Sequence, residues 1–484
     1  MVYKYNRIYA AHWFSGVKGM AIDAQHNEYK ANIDKWLLID DITSGKNLQN
    51  YLITINEDDK SEQNKIRNDN YYKRSVFYDI AGYTLKGLYS LPFNKPTEIE
   101  LDAELEYLIS NVDGAGIDLD QQVKSALAET IKKGRCGLFI TFPKTTETLT
   151  LADKDKYFAT INLIKAEQII NWDTKTVGSK TLLSLIVIKE MVTEINEEYE
   201  HENIEQITEL YLNESNVYSV RVWRKNKKTD DWIIFADEVN PVNAKGQTFN
   251  VIPFLFIGSE YNSFNVSEPP LYNLCRQNVA HYRNSADLED SGYYAGQSQP
   301  YMTGLDETHL KLLSNNKTYV GSRNIIGVPS GETFGYATPE PNPLIRQIML
   351  DKIDVMIGLG ARFIKDTGAI KTATEAAGDL KTAHSQIQSF VMNVNDAYQQ
   401  ALFFVGEFMG VYTESVYAID TKFITPTTTA QEIQTIIAGF MQGAIPASDY
   451  FRFMKRIDLI EEEKTFEDFS DELNPFSGDM NESQ

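Results

Sequence analysis

The stretch TATEAAGDLKTAHSQIQSFVMNVNDAYQQALFFVGEFM, residues 372–409, is the most regular in the chain and organises the reading of the rest. Ala376, Leu380, Ala383, Ile387, Phe390, Val394, Ala397, Ala401, Phe404 and Phe408 alternate spacings of four and three. That is a sustained heptad-like seam, and Thr372-x-x-Glu375 marks its start as a capping box. At 1.5 Å per residue the helix would run roughly 55 Å, a length assemblies need more often than lone domains. Ile387, Phe390, Val394 and Phe404 on this seam are therefore expected to pack subunits together.

Upstream lies a polar loop, 362–371, whose basic residues are Arg362, Lys365 and Lys371. Before it, a helix is expected from Leu344 to about Gly360. It carries Ile345, Met349, Ile353 and Met356 on one face and Gln347, Asp351 and Asp354 on the opposite one. Pro339, Pro341 and Pro343 end an insert of short elements over 298–343: a small helix at about Glu307–Leu313, then strand-like Thr318–Val320, Asn324–Val328 and Thr333–Tyr336. Pro269-Pro270 opens another amphipathic helix of about 25 residues, through Leu271, Leu274, Asn278, His281 and Tyr282. Residues 157–257 read mostly as strand, for example Leu182–Ile188 and Val217–Trp223, closing with Val251–Ile257. Residues 97–143 read as an α/β unit. Its Gly-rich turn Asp113–Gly116 leads into a helix at about Leu119–Lys133, stopped by Gly134, and a strand Leu138–Phe142 follows. Residues 1–68 hold the aromatic anchors Trp13, Tyr29, Trp36 and Tyr51 and end in a charged, loop-like run, Asn56–Asn68. Downstream, Thr429-x-x-Glu432 is a second capping box, a helix runs through Phe451 and Met454, and 457–484 form an acidic tail.

The chain's 484 residues allow roughly three domains at about 150 residues each, and 42% of them are apolar, enough for sizeable cores. Lys and Arg total 46 against 68 Asp and Glu, a net charge of −22. That balance argues against a binder that holds DNA by counterion release. Cys136 and Cys275 are too few for a disulfide framework or a cysteine-ligated metal. The six histidines are scattered, and His201-Glu202 is followed by Glu205 where a zinc signature needs His. There is no phosphate loop, nucleophile elbow or G-x-G-x-x-G. Asp113, Asp118 and Asp120 fit a helix entry better than a calcium loop. No catalytic residue, cofactor or metal is expected. Met1–Met20, which mixes Lys4, Arg7, His12 and Lys18 with aromatics, lacks a signal-peptide core. No apolar stretch approaches the roughly 20 residues a membrane span needs, so a soluble chain is expected.

The order of these parts resembles that of tailed-bacteriophage portal proteins. Lys35-Trp36-Leu37-Leu38-Ile39-Asp40-Asp41-Ile42, Asn111-Val112-Asp113-Gly114 and Lys133-Gly134-Arg135-Cys136-Gly137-Leu138 resemble a phage structural family long labelled only as a domain of unknown function. So do Ile169-Ile170-Asn171-Trp172 and Thr372-Ala373-Thr374-Glu375-Ala376. The similarity covers most of residues 30–460. It implies an α+β portal-type fold: an N-terminal segment (1–45), a β-rich wing (46–267), a two-helix stem (268–297 and 344–361) and a small clip between the stem helices (298–343). A tunnel loop (362–371), a long helix (372–410), a helical crown (411–460) and the acidic tail (461–484) complete it.

The resemblance also implies a function: a homo-oligomeric ring, a dodecamer, at one capsid vertex of the virion, assembled in the host bacterial cytoplasm. Genomic double-stranded DNA would pass through it during packaging and ejection. Implied partners are the terminase large subunit, the major capsid or scaffolding protein and a head-completion or tail adaptor, with no membrane. Candidate motor and adaptor contacts in the clip are Glu307, Lys311, Lys317 and Arg323. Candidate channel residues are Gln347, Asp351, Asp354, Arg362, Lys365 and Lys371, the basic ones able either to touch phosphate transiently or to pair with acidic neighbours. The rival readings are an oligomeric acidic hydrolase or nuclease, and another head or tail scaffold that trimerises through the seam.

Overall fold

A computed structural model describes residues 22–143, 157–195, 199–226, 229–296, 299–304, 333–337, 343–361, 386–412 and 414–421, with Glu307 and shorter stretches between 434 and 469. The fold is α+β. Residues 1–93 with 97–419 form one compact unit, and 94–96 with 420–484 a second.

In the first unit three helices come first: α1 (Asn27–Ser44), α2 (Glu62–Arg74) and α3 (Ile80–Ser90). The expected loop-like run Asn56–Asn68 is corrected here, because α2 starts inside it. Ser61 caps the helix by accepting from the Asn64 amide at 3.2 Å. The buried face is Asn64, Asn68 and Tyr71. Asn64 Nδ2 donates to the carbonyls of Ile55, Asn56 and Asp59. Asparagine thus does here what an apolar stripe does elsewhere, and apolar periodicity cannot reveal it.

The short strand β1 (Glu98–Glu100), the single turn α4 (Tyr107–Ser110) and α5 (Leu119–Lys133) follow. Helix α5 has the expected bounds. Asp118 caps it, and Gly134 ends it at φ 70°, where a Cβ would also lie 3.0 Å from the Glu268 carbonyl. Strands β2 (Arg135–Thr141) and β3 (Thr160–Lys165) pair antiparallel. A meander then runs through β4 (Ile169–Val177), β5 (Lys180–Ile195), β6 (His201–Leu212), β7 (Tyr218–Lys225) and β8 (Trp232–Val239). These five make a sheet in sequence order, with β4 and β8 at its edges. Strand β9 (Phe254–Gly258) returns to β2, so the smaller sheet is ordered β3-β2-β9. Arg135 links the two sheets, its guanidinium 4.3 Å from the Trp172 ring of β4 and 3.9 Å from Phe256 of β9.

After β9 come α6 (Tyr272–Ala295), the strands β10 (Gln299–Met302) and β11 (Phe334–Ala337), α7 (Pro343–Ala361), α8 (Gln386–Met409) and β12 (Val416–Ala418), which pairs with β1. Helix α8 covers the smaller sheet and α5. Tyr398 donates to Gln122 Oε1 at 3.0 Å, and Gln122 Nε2 donates to the Ile161 carbonyl at 2.6 Å. Ile387, Phe390 and Val394, expected at a subunit interface, are buried inside this chain. From Ile387 to Phe408 the seam lies on one helix, and the chain's own sheet and α5 pack against it. Phe404 is only half-buried. Residues 372–385, the first part of the expected long helix, lie outside the described residues.

A charge cluster holds α1 to α5. The fully buried Lys133 ammonium is 2.6 Å from Asp40, 3.0 Å from Glu129 and 2.5 Å from Glu167. Burial pulls that ammonium's pKa down, yet Glu129, Glu167 and Asp40 outweigh it and leave it raised. Burial pushes Asp40 up, and Lys133 and Lys132 overcome this to hold the carboxyl below its ordinary range. The pair Lys132-Lys133, read from sequence as cations facing a helix C-terminus, is thus also the hub of a buried ion network.

In the second unit, α9 (Ala447–Arg456) sets Phe451 5.6 Å from the Phe466 ring and 5.1 Å from Phe469, and Tyr450 stacks on Phe440 at 4.2 Å. Lys95 pairs with Asp420 at 3.2 Å. The capping box at Thr429 lies outside the described residues.

Candidate functional site

Helix α6 is gripped along most of its length and exposed over its last turn. Leu274, Cys275, Asn278, Val279, His281, Tyr282, Ser285 and Ala286 are buried. The segment around α2 and α3 holds them: Asn278 accepts from the Ala81 amide at 2.9 Å and donates to the Tyr78 carbonyl at 2.9 Å. Ser285 donates to the Val76 carbonyl, and Tyr71 donates to Asp287 at 2.8 Å. Arg74 pairs with Asp290 and lies 4.2 Å over the Tyr293 ring. Beyond this point 291–294 are exposed.

Helix α7 lies against α6. Lys352 donates to the Ala280 carbonyl at 2.9 Å and to Asn284 Oδ1. Between the two helices in sequence, β10 and β11 pair antiparallel, Gln299 opposite Ala337 and Met302 opposite Phe334. Lys352 is nine residues into α7 and meets α6 at positions 11 to 15 residues before its end, so the helices run antiparallel with the ribbon joining their outer ends. Exposed Tyr301 and Tyr336 lie on that ribbon.

Around α7 the side chains sort into four stripes at 100° per residue. Met349 and Met356 are buried, with Ile345 and Ile353 half-buried beside them. Gln347, Asp351 and Asp354 are exposed on the opposite side, where Gln347 donates to Asp351 at 2.9 Å. On either flank of this polar stripe lies an exposed apolar shoulder: Leu350 (49%) and Ile357 (61%) on one, Leu344 (60%) and Val355 (47%) on the other. Four large apolar side chains so placed on one helix are more than scattered surface hydrophobes. Reading the helix as two faces misses the shoulders; assigning every apolar position on the wheel would have found them.

His281 sits where α6, α7 and Tyr78 meet. It is fully buried, its ring is edge-on to Tyr78 at 5.2 Å, and neither ring nitrogen has a hydrogen-bond partner among the described residues. Burial, then the Lys352 charge, pull its pKa below 6.5. Burial and the nearby Arg283 lower Lys352 in turn, with Asp287 opposing.

Of the residues singled out from sequence, Gln347, Asp351 and Asp354 do share one stripe. Glu307 is exposed. Lys311, Lys317, Arg323, Arg362, Lys365 and Lys371 lie outside the described residues. Among the described residues no group of three or more His, Cys, Asp or Glu is placed to hold a metal, and no helix is long and apolar enough to cross a membrane.

Residues 270–409 match a domain of unknown function, DUF4055. The match runs from the start of α6 to the last residue of α8, and so contains both helices, the ribbon between them and the seam. No curated protein matches the chain.

Proposed function

We propose that this chain is the subunit of a phage portal: a ring at one capsid vertex through which double-stranded DNA is packaged and later released. The observation that carries the reading is the four-striped surface of α7. A closed ring built head to tail uses two different patches on each subunit, one for each neighbour. A helix held to its own subunit by one stripe, with an apolar shoulder on each flank and a polar stripe between them, has the surfaces that geometry needs. The polar stripe would then face the ring axis. Its carboxylates repel phosphate, which suits a channel that passes DNA without holding it. In this reading α6 and α7 are the stem, and the ribbon begins a clip over 298–343 that meets the packaging motor and the head-completion or tail adaptor. ATP hydrolysis would belong to the docked terminase, and the chain would have no catalytic role.

Electron microscopy of the purified protein tests this. The expected particle is a holed ring of about twelve subunits. A monomer, a compact small oligomer with metal-dependent activity, or a rod would overturn it.

A further inference from the structure

Among the described residues, the five-stranded sheet ends at β8 with no further strand paired to it. In β8, Ile233 (46%), Ile234 (50%) and Phe235 (57%) are consecutive and all exposed, so apolar side chains stand out on both faces of the strand. Natural edge strands are usually blunted by charge, proline or a covering element, because their free N–H and C=O groups template further pairing. Here β8 pairs only with β7 among the described strands. A register shift between Val222 and Trp223 leaves Phe235 as the extra residue of a bulge, under the Arg224 guanidinium at 3.5 Å.

We propose that β8 accepts the chain's own N-terminal segment, residues 2–9, as a sixth strand of this sheet. Three features of the chain select that occupant. Residues 2–9 are Val-Tyr-Lys-Tyr-Asn-Arg-Ile-Tyr, and five of the eight are Val, Ile or Tyr, the types that favour strands. Charge is complementary: Lys4, Arg7 and Lys18 stand in the first 22 residues with no carboxylate, whereas residues 180–239 hold thirteen carboxylates against seven lysines and arginines. Reach is sufficient as well. The segment's base is fixed at the opposite edge of the same sheet, where the His26 amide donates to the Ile170 carbonyl at 2.9 Å and its ring stacks on Trp172 at 4.0 Å. Four strand spacings separate β4 from β8, about 19 Å, and the 16 residues between Tyr9 and His26 span on the order of 55 Å when extended. The segment can therefore reach β8 of its own subunit or of a neighbour, and the pairing does not depend on the portal reading.

Hydrogen exchange over Trp232–Val239 tests this, comparing the full chain with one lacking residues 2–21. Exchange in β6 serves as the control for folding. The full chain should protect β8 and the shortened chain should lose that protection, with a synthetic peptide of residues 2–9 restoring it. In the full chain, Phe235→Cys combined in turn with Tyr3→Cys, Tyr5→Cys or Tyr9→Cys should form a disulfide in at least one pairing. The native Cys136 and Cys275 are buried and do not compete. Equal exchange in both chains with no cross-link overturns the proposal, and so does protection of β8 that survives removal of the segment.

Discussion

Helices α7 and α8 are both rich in apolar residues, and they spend them in opposite ways. Helix α8 lies on a three-stranded sheet and against α5, so its seam is enclosed by its own chain. Helix α7 rests mainly on α6, and the apolar residues beyond that contact face outward. A regular apolar repeat shows that a helix face is covered, but not by which surface. The more regular helix serves the chain's own core; the less regular one leaves large apolar side chains exposed.

The sharpest way to break this contrast is to truncate one apolar side chain on each helix. Phe390→Ala in α8 should lower unfolding stability by about 3–5 kcal/mol, the usual loss for a buried phenylalanine. Leu350→Ala in α7 should stay within about 0.5 kcal/mol, as for ordinary surface positions. Urea midpoints of the two variants check both. A Phe390→Ala chain as stable as the wild type would return that residue to a subunit interface.

Assembly should respond the other way round. Leu350→Asp with Ile357→Asp puts two charges on one shoulder, where a packed interface would bury them unpaired at several kcal/mol each. Native mass spectrometry should show loss of the ring while the urea midpoint of the chain is kept. Intact rings would remove that shoulder from the interface and, with it, the main support for the portal reading.

A further contrast lies in buried polar groups. Under α8, Tyr398 and Gln122 are satisfied by each other and by the Ile161 carbonyl. Between α6 and α7, His281 has no such partner among the described residues. Its folded pKa is lowered, so the stabilising neutral form is fully favoured above its ordinary value of 6.5. That contribution is lost as pH falls below 6.5 through the folded value, because the unfolded chain takes up the proton first. The Lys352 charge adds repulsion to the imidazolium; Lys352 is itself lowered by burial and Arg283, with Asp287 opposing. Melting temperature should fall between pH 7 and pH 5, and His281→Phe should flatten that slope. An unchanged slope in the variant would assign the pH dependence to other groups.

Much of this structure is legible in the sequence, for identifiable reasons. Helix α5 has an Asp cap, a continuous apolar face and a Gly stop, and each signal is local. Strands β5, β7 and β9 overlap the apolar or alternating runs Leu182–Ile188, Val217–Trp223 and Val251–Ile257, whereas β6 and β8 lie in a stretch that reads only as mostly strand. Helix α2 is not legible, because Asn64 and Asn68 bury amide groups that only the fold can satisfy. The Lys133 cluster depends on α1 and β4 bringing Asp40 and Glu167 to it, a tertiary event with no local mark. In the candidate site, the polar stripe of α7 follows from the helical period. Its shoulders follow from knowing how little of α7 the other described residues cover, which the period alone does not say.

The smallest stability effect, and the one most specific to a channel, belongs to the polar stripe. Asp351→Asn with Asp354→Asn keeps the size of both side chains and removes two charges from exposed positions, so stability should change by no more than about 0.5 kcal/mol and assembly should persist. What should change is the affinity of the ring for duplex DNA. Each carboxylate repels nearby phosphate, and a ring repeats the change in every subunit, so DNA retention should rise at low salt. The rise should fade as salt is added, because the interaction is screened over about 8 Å at physiological ionic strength. A filter-binding titration of wild-type and variant rings at two salt concentrations reads this directly. Equal retention at low salt would mean the stripe does not face the DNA path, even if the ring itself forms.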